Sequence, residues 1–254
     1  MVVERERRGR VEVLALARPE ARNAVNGEVA QAMEAALDDI ETDDGVWAVV
    51  VTGRGPVFSA GADLKAIAAG RGIELLTKRG GFGGITQREF PKPLIAAVNG
   101  PALAGGFEIV LSCDLVVAAD DAVFGLPEVK RGLFASAGGL VRLPKRVPLA
   151  LATQLAVTGE PIDAHRAHAL GLVNRVVPRD QVLDEALGLA GRIAENAPLA
   201  VRSSLRMVRE AGDLADADAW RLNNELAAEV GASKDAIEGA TAFAEKRAPK
   251  WTGT

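Results

Sequence analysis

The stretch "KPLIAAVNGPALAGGFEIVLSCDLVVAADDAVFGLPEVKRG", residues 92–132, decides the fold. Within it, "KPLIAAVNG" (92–100) is predicted to be a strand, "AGGFEIVLSC" (104–113) a helix, and "DLVVAA" (114–119) a further strand. Strand, helix and strand in this order predict a parallel sheet with right-handed crossovers, which is an α/β fold.

The same alternation extends towards the N-terminus. "VEVLALA" (11–17) and "VWAVVVTG" (46–53) are predicted strands, and the second is apolar on both faces, as buried parallel strands are. Between them a helix is predicted over 27–41, because Asn26 can cap it and its apolar residues share one face. A short helix is predicted near 63–69.

Two segments depart from this alternation. Residues 70–90 have weak helical periodicity that is interrupted by four glycines, so they are predicted to be the most mobile part of the chain. From Ser136 onward the pattern becomes mostly helical, after which only one strand is predicted, near 175–177. The last part of the chain is predicted to form four helices, at 179–195, 198–211, 213–230 and 233–247.

Composition limits the class of protein. The 254 residues carry a net charge of −4, whereas a general nucleic-acid binder usually has a basic surplus. There is no apolar run of the length that a membrane span needs, and the charged start "MVVERERRGR" does not resemble a secretory signal. The single cysteine, Cys113, excludes an internal disulfide and fits a reducing compartment, so a cytoplasmic location is expected.

Several common site motifs are incomplete. "GRGPVFSAG" (53–61) follows a predicted strand, but Phe58 stands where the dinucleotide-binding fingerprint needs its third glycine. Neither Ser59 nor Ser136 lies in a G-x-S-x-G motif. His165 and His168 could share a helix face, but no third histidine or nearby cysteine accompanies them, so no metal site is predicted.

The Gly-Gly pair at the start of the helix in 104–113 is more informative. The first amides of a helix have no intrahelical partner, and the helix dipole adds partial positive charge there. Because glycine allows a ligand to approach the backbone closely, the N–H of Gly105 could point at a developing oxyanion. "SAGAD" (59–63) is a second glycine-rich turn after a strand. Two such turns can direct two N–H groups at one oxygen, as in an oxyanion hole.

Two glutamates accompany these turns. Glu108 lies about one turn into the same helix, and Glu128 follows in "FGLPEVKRG" after one more strand. Two acids beside an oxyanion site would suit addition or removal of water by proton transfer. Spacing alone equally allows Glu108 to be a surface residue of an amphipathic helix and Glu128 a loop charge.

Five stretches, in order, resemble the crotonase, or enoyl-CoA hydratase/isomerase, family. The resemblance extends from about Val11 to Trp251 and rests on "RPEARNAVN" (18–26), "FSAGADL" (58–64), the stretch 92–132, "AVTGEPIDAHRAHALGLVNRVV" (156–177) and "DAIEGATAFAEKRAPKW" (235–251). It implies an α/β fold of the ClpP/crotonase-like type, with a β-β-α spiral core over 1–195. A helical C-terminal trimerisation region over 196–254 is implied as well.

The resemblance also implies chemistry. Family members bind acyl-CoA thioesters, with the thioester oxygen between two backbone amides that correspond here to Ala62 and Gly105. The two glutamates of the family's hydratases correspond to Glu108 and Glu128, which favours reversible addition of water to a 2-enoyl-CoA. Glu108 would activate the water, and a protonated Glu128, its pKa raised by an apolar pocket, would supply the proton to Cα.

Further expectations follow from the same resemblance. A homotrimer or homohexamer is implied, and no cofactor is, since coenzyme A is part of the substrate. Fatty acid metabolism is the implied setting. Candidate residues for binding the substrate and its CoA moiety are Arg22, Ala60, Asp63, Leu64, Lys65, Phe243 and Lys246, the last two reaching a neighbouring subunit's ligand.

The nature of the acyl group is left open. Ala135 and Leu140 stand where many hydratases have Pro and Thr, which puts a preference for ordinary fatty enoyl-CoA in doubt. The stretches 143–148 and 235–251 most resemble the carnitinyl-CoA dehydratase branch. Two alternatives therefore stand beside the hydratase: a dehydratase for carnitinyl-CoA or another polar 3-hydroxyacyl-CoA, and a non-catalytic acyl-CoA-binding protein of the same fold.

Overall fold

A computed structural model describes all residues, 1–254. Its eleven strands are β1 Val3–Arg8, β2 Val11–Leu16, β3 Ala48–Gly53, β4 Leu76–Thr77, β5 Gly81–Phe82, β6 Leu94–Val98, β7 Ala102–Leu103, β8 Leu115–Ala119, β9 Val123–Gly125, β10 Ile162–Asp163 and β11 Arg175–Val177. Its ten α-helices are α1 Gly27–Thr42, α2 Leu64–Ala68, α3 Gly105–Ser112, α4 Gly139–Arg146, α5 Leu149–Thr158, α6 Ala164–Ala169, α7 Val182–Ala194, α8 Pro198–Glu210, α9 Asp216–Gly231 and α10 Lys234–Glu245.

The main sheet has six strands in the order β1-β2-β3-β6-β8-β11. Only β1 runs antiparallel to its neighbour, and every other pairing is parallel. All residues of β3 and β6 are buried, as the apolar composition of both strands predicts. The predicted α/β alternation with parallel strands is confirmed.

A second, smaller sheet has three strands in the order β10-β9-β7. Isolated bridges extend it, since Ser59 pairs with Ala102 and Val25 pairs with Ala62. After each of the strands β2, β3, β6 and β8, the chain therefore adds a few residues to this second layer. This is the β-β-α spiral that the resemblance implied, and it stacks the turns that follow consecutive strands.

The helix α3 lies inside the molecule. Its residues from Gly105 to Leu111 are all buried, and a helix that is apolar on every side belongs in a core. Glu108 is the only carboxylate among them, with 3% of its surface exposed. The alternative in which Glu108 lies on a solvated helix face is therefore wrong.

In the segment predicted to be the most mobile, residues 70–90, the part from 80 to 86 is closely packed, whereas most of residues 70–79 are exposed. Residues 80–86 are all buried, and β4 and β5 form a short antiparallel pair against α1. One carboxylate oxygen of Glu34 accepts hydrogen bonds from the amides of Arg79 (3.2 Å) and Gly80 (2.6 Å). The glycines at 80–84 permit this tight packing, and the mobility of the whole segment stays a prediction.

The C-terminal helices follow α7, which packs against β3, β6 and β8. Asp114, immediately before β8, accepts two hydrogen bonds of 2.8 and 2.7 Å from Arg209, which connects α8 to the core. The predicted boundary at residue 195 falls between α7 and α8, and as a domain boundary it stays a prediction. No helix combines the length and the apolar composition needed to cross a membrane.

Candidate active site

The first part of the site is the turn that starts α3. The chain leaves β7 through Ala104, whose φ of 52° and ψ of −131° are unusual for a residue with a side chain. The amide of Ala104 is held by the carbonyl oxygen of Gly125 at 2.9 Å, so the second sheet supports this conformation. Such local strain is typical of functional sites, where surrounding structure maintains it.

The second part is the turn at Gly61 and Ala62, which touches the first. Gly61 has a φ of +89°, and a Cβ at this position would lie 2.7 Å from the nitrogen of Gly105. A Cβ on Gly106 would lie 2.3 Å from the carbonyl oxygen of Ser59. Only glycine permits both approaches, so the two turns meet as the sequence predicted.

The amides of these turns differ from their neighbours in their hydrogen bonds. Gly61 N donates to Ser59 Oγ at 3.2 Å, and Asp63 N donates to the carbonyl oxygen of Val25 at 2.8 Å. The amides of Ala62 and Gly105 donate to no acceptor in the protein. Two adjacent free N–H groups, one of them at a helix N-terminus, can bind a single anionic oxygen.

Glu108 lies about one helical turn after Gly105 in α3, and its carboxylate is held by a backbone amide of α4. Its Oε1 accepts a hydrogen bond of 2.9 Å from the amide of Gly139, the first residue of α4. Burial raises the pKa of Glu108, while hydrogen bonds from the amides of Gly139 and Ala137 and the charge of Arg142 oppose that rise. The segment that starts α4 thus orients the carboxylate.

Glu128 lies on a short 3₁₀ helix, Pro127–Arg131, and its surroundings differ. Its Oε2 is buried and has no hydrogen-bond partner. Burial raises the pKa of Glu128 to about 7, and the nearby charge of Glu108 contributes to the rise. The spiral therefore brings the two glutamates close enough to interact, and Glu128 is partly protonated at neutral pH.

The candidate CoA-binding residues separate into two groups. Ala60 is half-buried beside the Gly61 turn, whereas Leu64, Lys65 and Arg22 are exposed, Arg22 in a left-handed conformation with a φ of 53°. Asp63 has a structural task, because one oxygen caps α2 and the other binds Arg18 at 3.1 Å.

The other two candidates lie on the C-terminal helix. Phe243 is 88% exposed, and Lys246 follows the end of α10, which packs against α9. The structure does not bring either residue to the Gly61 turn within one chain. Their assignment to a neighbouring subunit's ligand stays a prediction.

The remaining chemically suggestive residues have ordinary structural partners. His168 Nδ1 lies 2.8 Å from the carbonyl oxygen of Val173, and no group of three or more potential metal ligands exists in the structure. Cys113 is fully buried, which raises the pKa of its thiol to about 12 and makes it a poor nucleophile.

Three residues beside the glutamates were missed in the sequence. Gly138, with a φ of +104°, turns the chain so that Gly139 N points at Glu108, and Arg142 lies one helical turn further along. The signal was present, since "AGGLVR" (137–142) repeats the small-Gly-Gly pattern of "AGGFE" at a second helix start.

The chain as a whole is similar to known proteins. Residues 6–254 match the family model described as enoyl-CoA hydratase/isomerase. An enoyl-CoA hydratase of Mycobacterium tuberculosis is 41% identical over 252 residues, which cover 97% of this chain and 94% of that relative. The carnitinyl-CoA dehydratase of Proteus mirabilis is 38% identical, with 97% and 96% covered. The crystal structure of an enoyl-CoA hydratase from Mycobacterium marinum superimposes with a TM-score of 0.96 at 46% identity, covering 100% of this chain and 99% of that one.

Proposed function

This chain belongs to the enoyl-CoA hydratase/isomerase family, and from that premise we propose that it is a hydro-lyase which adds water reversibly to a 2-enoyl-CoA thioester. One observation carries the proposal: two acids in different environments lie beside two amides that have no acceptor of their own. Paired acids whose surroundings separate their pKa values are the arrangement that acid–base catalysis at neutral pH requires.

Four groups of the protein take part in the proposed reaction. Glu108 accepts a proton from water, whose oxygen forms the bond to Cβ of the enoyl group. The electron pair of the double bond moves towards the thioester oxygen, which is stabilised by the N–H groups of Ala62 and Gly105. Glu128 then donates its proton to Cα. In the reverse direction each glutamate takes the opposite role.

The assignment of roles follows from the electrostatics. A pKa of about 7 keeps a large fraction of Glu128 protonated at neutral pH, and its unpartnered Oε2 is free to donate to a substrate. Burial raises the pKa of Glu108 as well, but the amide of Gly139 and the charge of Arg142 oppose that rise and favour its ionised form. Ionised Glu108 and protonated Glu128 are the resting states that hydration needs.

The proposal includes the substrate's carrier and the assembly. Coenzyme A is part of the substrate, and neither a further cofactor nor a metal ion is invoked. Arg22 and Lys65, which flank the Gly61 turn in the sequence and retain solvent access, are proposed to bind its phosphates. Phe243 and Lys246 would act across an interface in a homotrimer or homohexamer, and a cytoplasmic role in fatty acid metabolism is proposed.

A carnitinyl-CoA dehydratase-like activity is the second candidate. It is favoured by the 38% identity to the Proteus mirabilis enzyme and by Ala135 and Leu140, which depart from the usual hydratase pattern. A non-catalytic acyl-CoA-binding role is less well supported. Binding a thioester requires the free amides, whereas burial of two interacting carboxyl groups costs stability and adds nothing to binding alone.

The test is a hydration assay with crotonyl-CoA, repeated with longer enoyl-CoA thioesters and, in the dehydration direction, with carnitinyl-CoA. Glu108→Gln and Glu128→Gln are each expected to lower turnover by at least about a hundredfold, the usual worth of one acid–base group. Glu229→Gln, at an exposed glutamate on α9, is the matched control and should retain activity. Wild-type protein that is inactive on every substrate, or near-normal turnover in both variants, would refute the proposal.

A further inference from the structure

Arg142 is the positively charged residue whose charge favours the ionised form of Glu108. Its side chain also contacts two separate segments of the chain. It lies on α4, and its Nη2 donates to the carbonyl oxygen of Thr86 at 2.5 Å. Its guanidinium group also lies against Gly138, because a Cβ on that glycine would come within 2.0 Å of Nη1. Arg142 therefore connects the packed segment 80–86 to the turn that presents Gly139 N to Glu108.

The position of this arginine is unfavourable unless an anion compensates for it. Burial and the nearby charge of Arg146 lower the pKa of the Arg142 guanidinium, and no carboxylate lies within ion-pairing distance. The side chain bends back over the N-terminus of its own helix, where the helix dipole opposes a positive charge. An arginine stays charged in such a place, and a nearby negative group offsets part of the cost.

The charged groups around Glu108 leave one candidate for that compensation. Glu108 is the carboxylate whose charge favours the charged form of Arg142. Glu128, on the 3₁₀ helix, interacts with Glu108 as a like charge. Arg146, one turn further along α4, donates instead to the carbonyl oxygen of Cys113 at 2.7 Å. Arg88, from the segment near Thr86, pairs with carboxylates of α1.

We propose that Arg142 is a positioning residue that keeps Glu108 ionised and oriented while Glu128 retains its proton. It acts in two ways: its charge favours the Glu108 anion, and its contacts hold the Gly138–Gly139 turn whose amide binds Oε1. Arg142 thereby contributes to the charge asymmetry between the two glutamates, together with the amides of Gly139 and Ala137 that bind Glu108. The catalytic meaning of this asymmetry rests on the proposed function, but the charge effect on Glu108 does not.

The test compares Arg142→Gln with Arg142→Lys and with Arg146→Gln as the matched control. The Arg146 variant removes a second arginine of the same helix whose hydrogen bond points away from Glu108. The protonation of Glu108 is followed by NMR in protein labelled at glutamate carboxyl carbons, with the signal assigned by its absence in Glu108→Gln. This readout requires no catalytic activity. It therefore separates failure of this inference from failure of the proposed function.

We expect the midpoint of the Glu108 titration to rise by about one pH unit in Arg142→Gln, a tenfold change in the protonation equilibrium. Arg142→Lys, which keeps the charge, and Arg146→Gln should remain near the wild-type midpoint. The acidic limb of the kcat profile for hydration should move in the same direction, because the ionised form of Glu108 is the active one. KM should change less than kcat.

Three results would overturn the inference. The first is an unchanged Glu108 midpoint in a folded Arg142→Gln protein. The second is an equal shift in Arg142→Gln and Arg146→Gln, which would indicate a general effect of losing a buried arginine. If Arg142→Gln does not fold, Arg142→Lys decides alone, and a midpoint raised by a full pH unit despite the retained charge would refute the proposed role.

Discussion

Two glycine-rich regions of this molecule, the pair of turns at Gly61–Ala62 and Ala104–Gly106 and the segment 80–84, share a steric requirement. In the first, a Cβ on Gly61 would lie 2.7 Å from Gly105 N. In the second, a Cβ on Gly80 would lie 2.1 Å from the backbone of Gly84. Both regions bring one stretch of backbone against another, and both use glycine for that reason.

Their hydrogen bonds distinguish them. In the segment 80–84, Gly80 N is bound by Glu34 at 2.6 Å and Gly83 N by the carbonyl oxygen of Leu75 at 2.9 Å. In the pair of turns, the amides of Ala62 and Gly105 are left without acceptors. Backbone amides inside proteins are nearly always satisfied, and this difference is why we propose the pair of turns, and not segment 80–84, as the ligand-binding region. Glycine content is shared by both regions, so it indicates close backbone packing and does not distinguish a site.

The largest expected effect comes from separating the two turns with Gly61→Ala. The added Cβ would meet Gly105 N and Ala104 Cβ at 2.7 and 2.8 Å, and the amides of the two turns would no longer converge. We expect kcat/KM for crotonyl-CoA hydration to fall by about 10²–10³, the usual worth of an oxyanion donor. Gly70→Ala is the control for backbone strain, because its φ is +75° with nothing within 4 Å. Equal losses in both variants would contradict the role of the turns.

A smaller effect, on stability, is expected from Gly84→Ala in the other region. Its φ of +73° disfavours a side chain, and a Cβ would lie 2.3 Å from the carbonyl oxygen of Ala30. We expect the free energy of unfolding to fall by about 2–3 kcal/mol, as overpacking and an unfavourable φ typically cost. The measurement is urea unfolding, with Gly9→Ala as the control, since its φ is +62° in open space. If Gly84→Ala remained folded under the assay conditions but lost most of its activity, segment 80–84 would belong to the site.

The smallest expected effect is on the free energy of unfolding, and it comes from the buried, unpaired carboxyl group of Glu128. Because the pKa of Glu128 is about 7 in the folded protein, against 4.5 for an unperturbed glutamate, the folded state binds its proton more tightly. The stability that this proton contributes is present below pH 4.5 and is lost as the pH rises through about 7. After allowance for solvent screening, Glu128→Gln should be more stable than wild type by about 1 kcal/mol above that range.

Urea unfolding of Glu128→Gln and wild type across this pH range provides the measurement. The difference in free energy should grow with pH, because only the wild-type protein must bury an ionised carboxylate. Glu229→Gln, exposed on α9, should show no such trend. A difference that is constant with pH would show that Glu128 has an ordinary pKa and would weaken its assignment as the proton donor.

Much of the fold could be predicted because its signals are local. The helix after Asn26 begins as expected, with Asn26 Oδ1 accepting from Val29 N at 3.0 Å. The strands β2, β3, β6 and β8 lie where apolar runs indicated. The strands β7, β9 and β10 were missed because they are two or three residues long, too short to show a period. They belong to the second sheet, which supports the Ala104 turn.

The sequence by itself determined the parallel strands of the main sheet with the helices between them, the two glycine-rich turns, the two candidate glutamates and, through motifs spread over the chain, the family. The tertiary structure decided which of these groups remain available for chemistry. The free amides of Ala62 and Gly105, the unpaired Oε2 of Glu128 and the effect of Arg142 on Glu108 depend on residues far apart in the chain. Burial and hydrogen-bond satisfaction are properties of what surrounds a group, and those surroundings exist only once the spiral has stacked its turns.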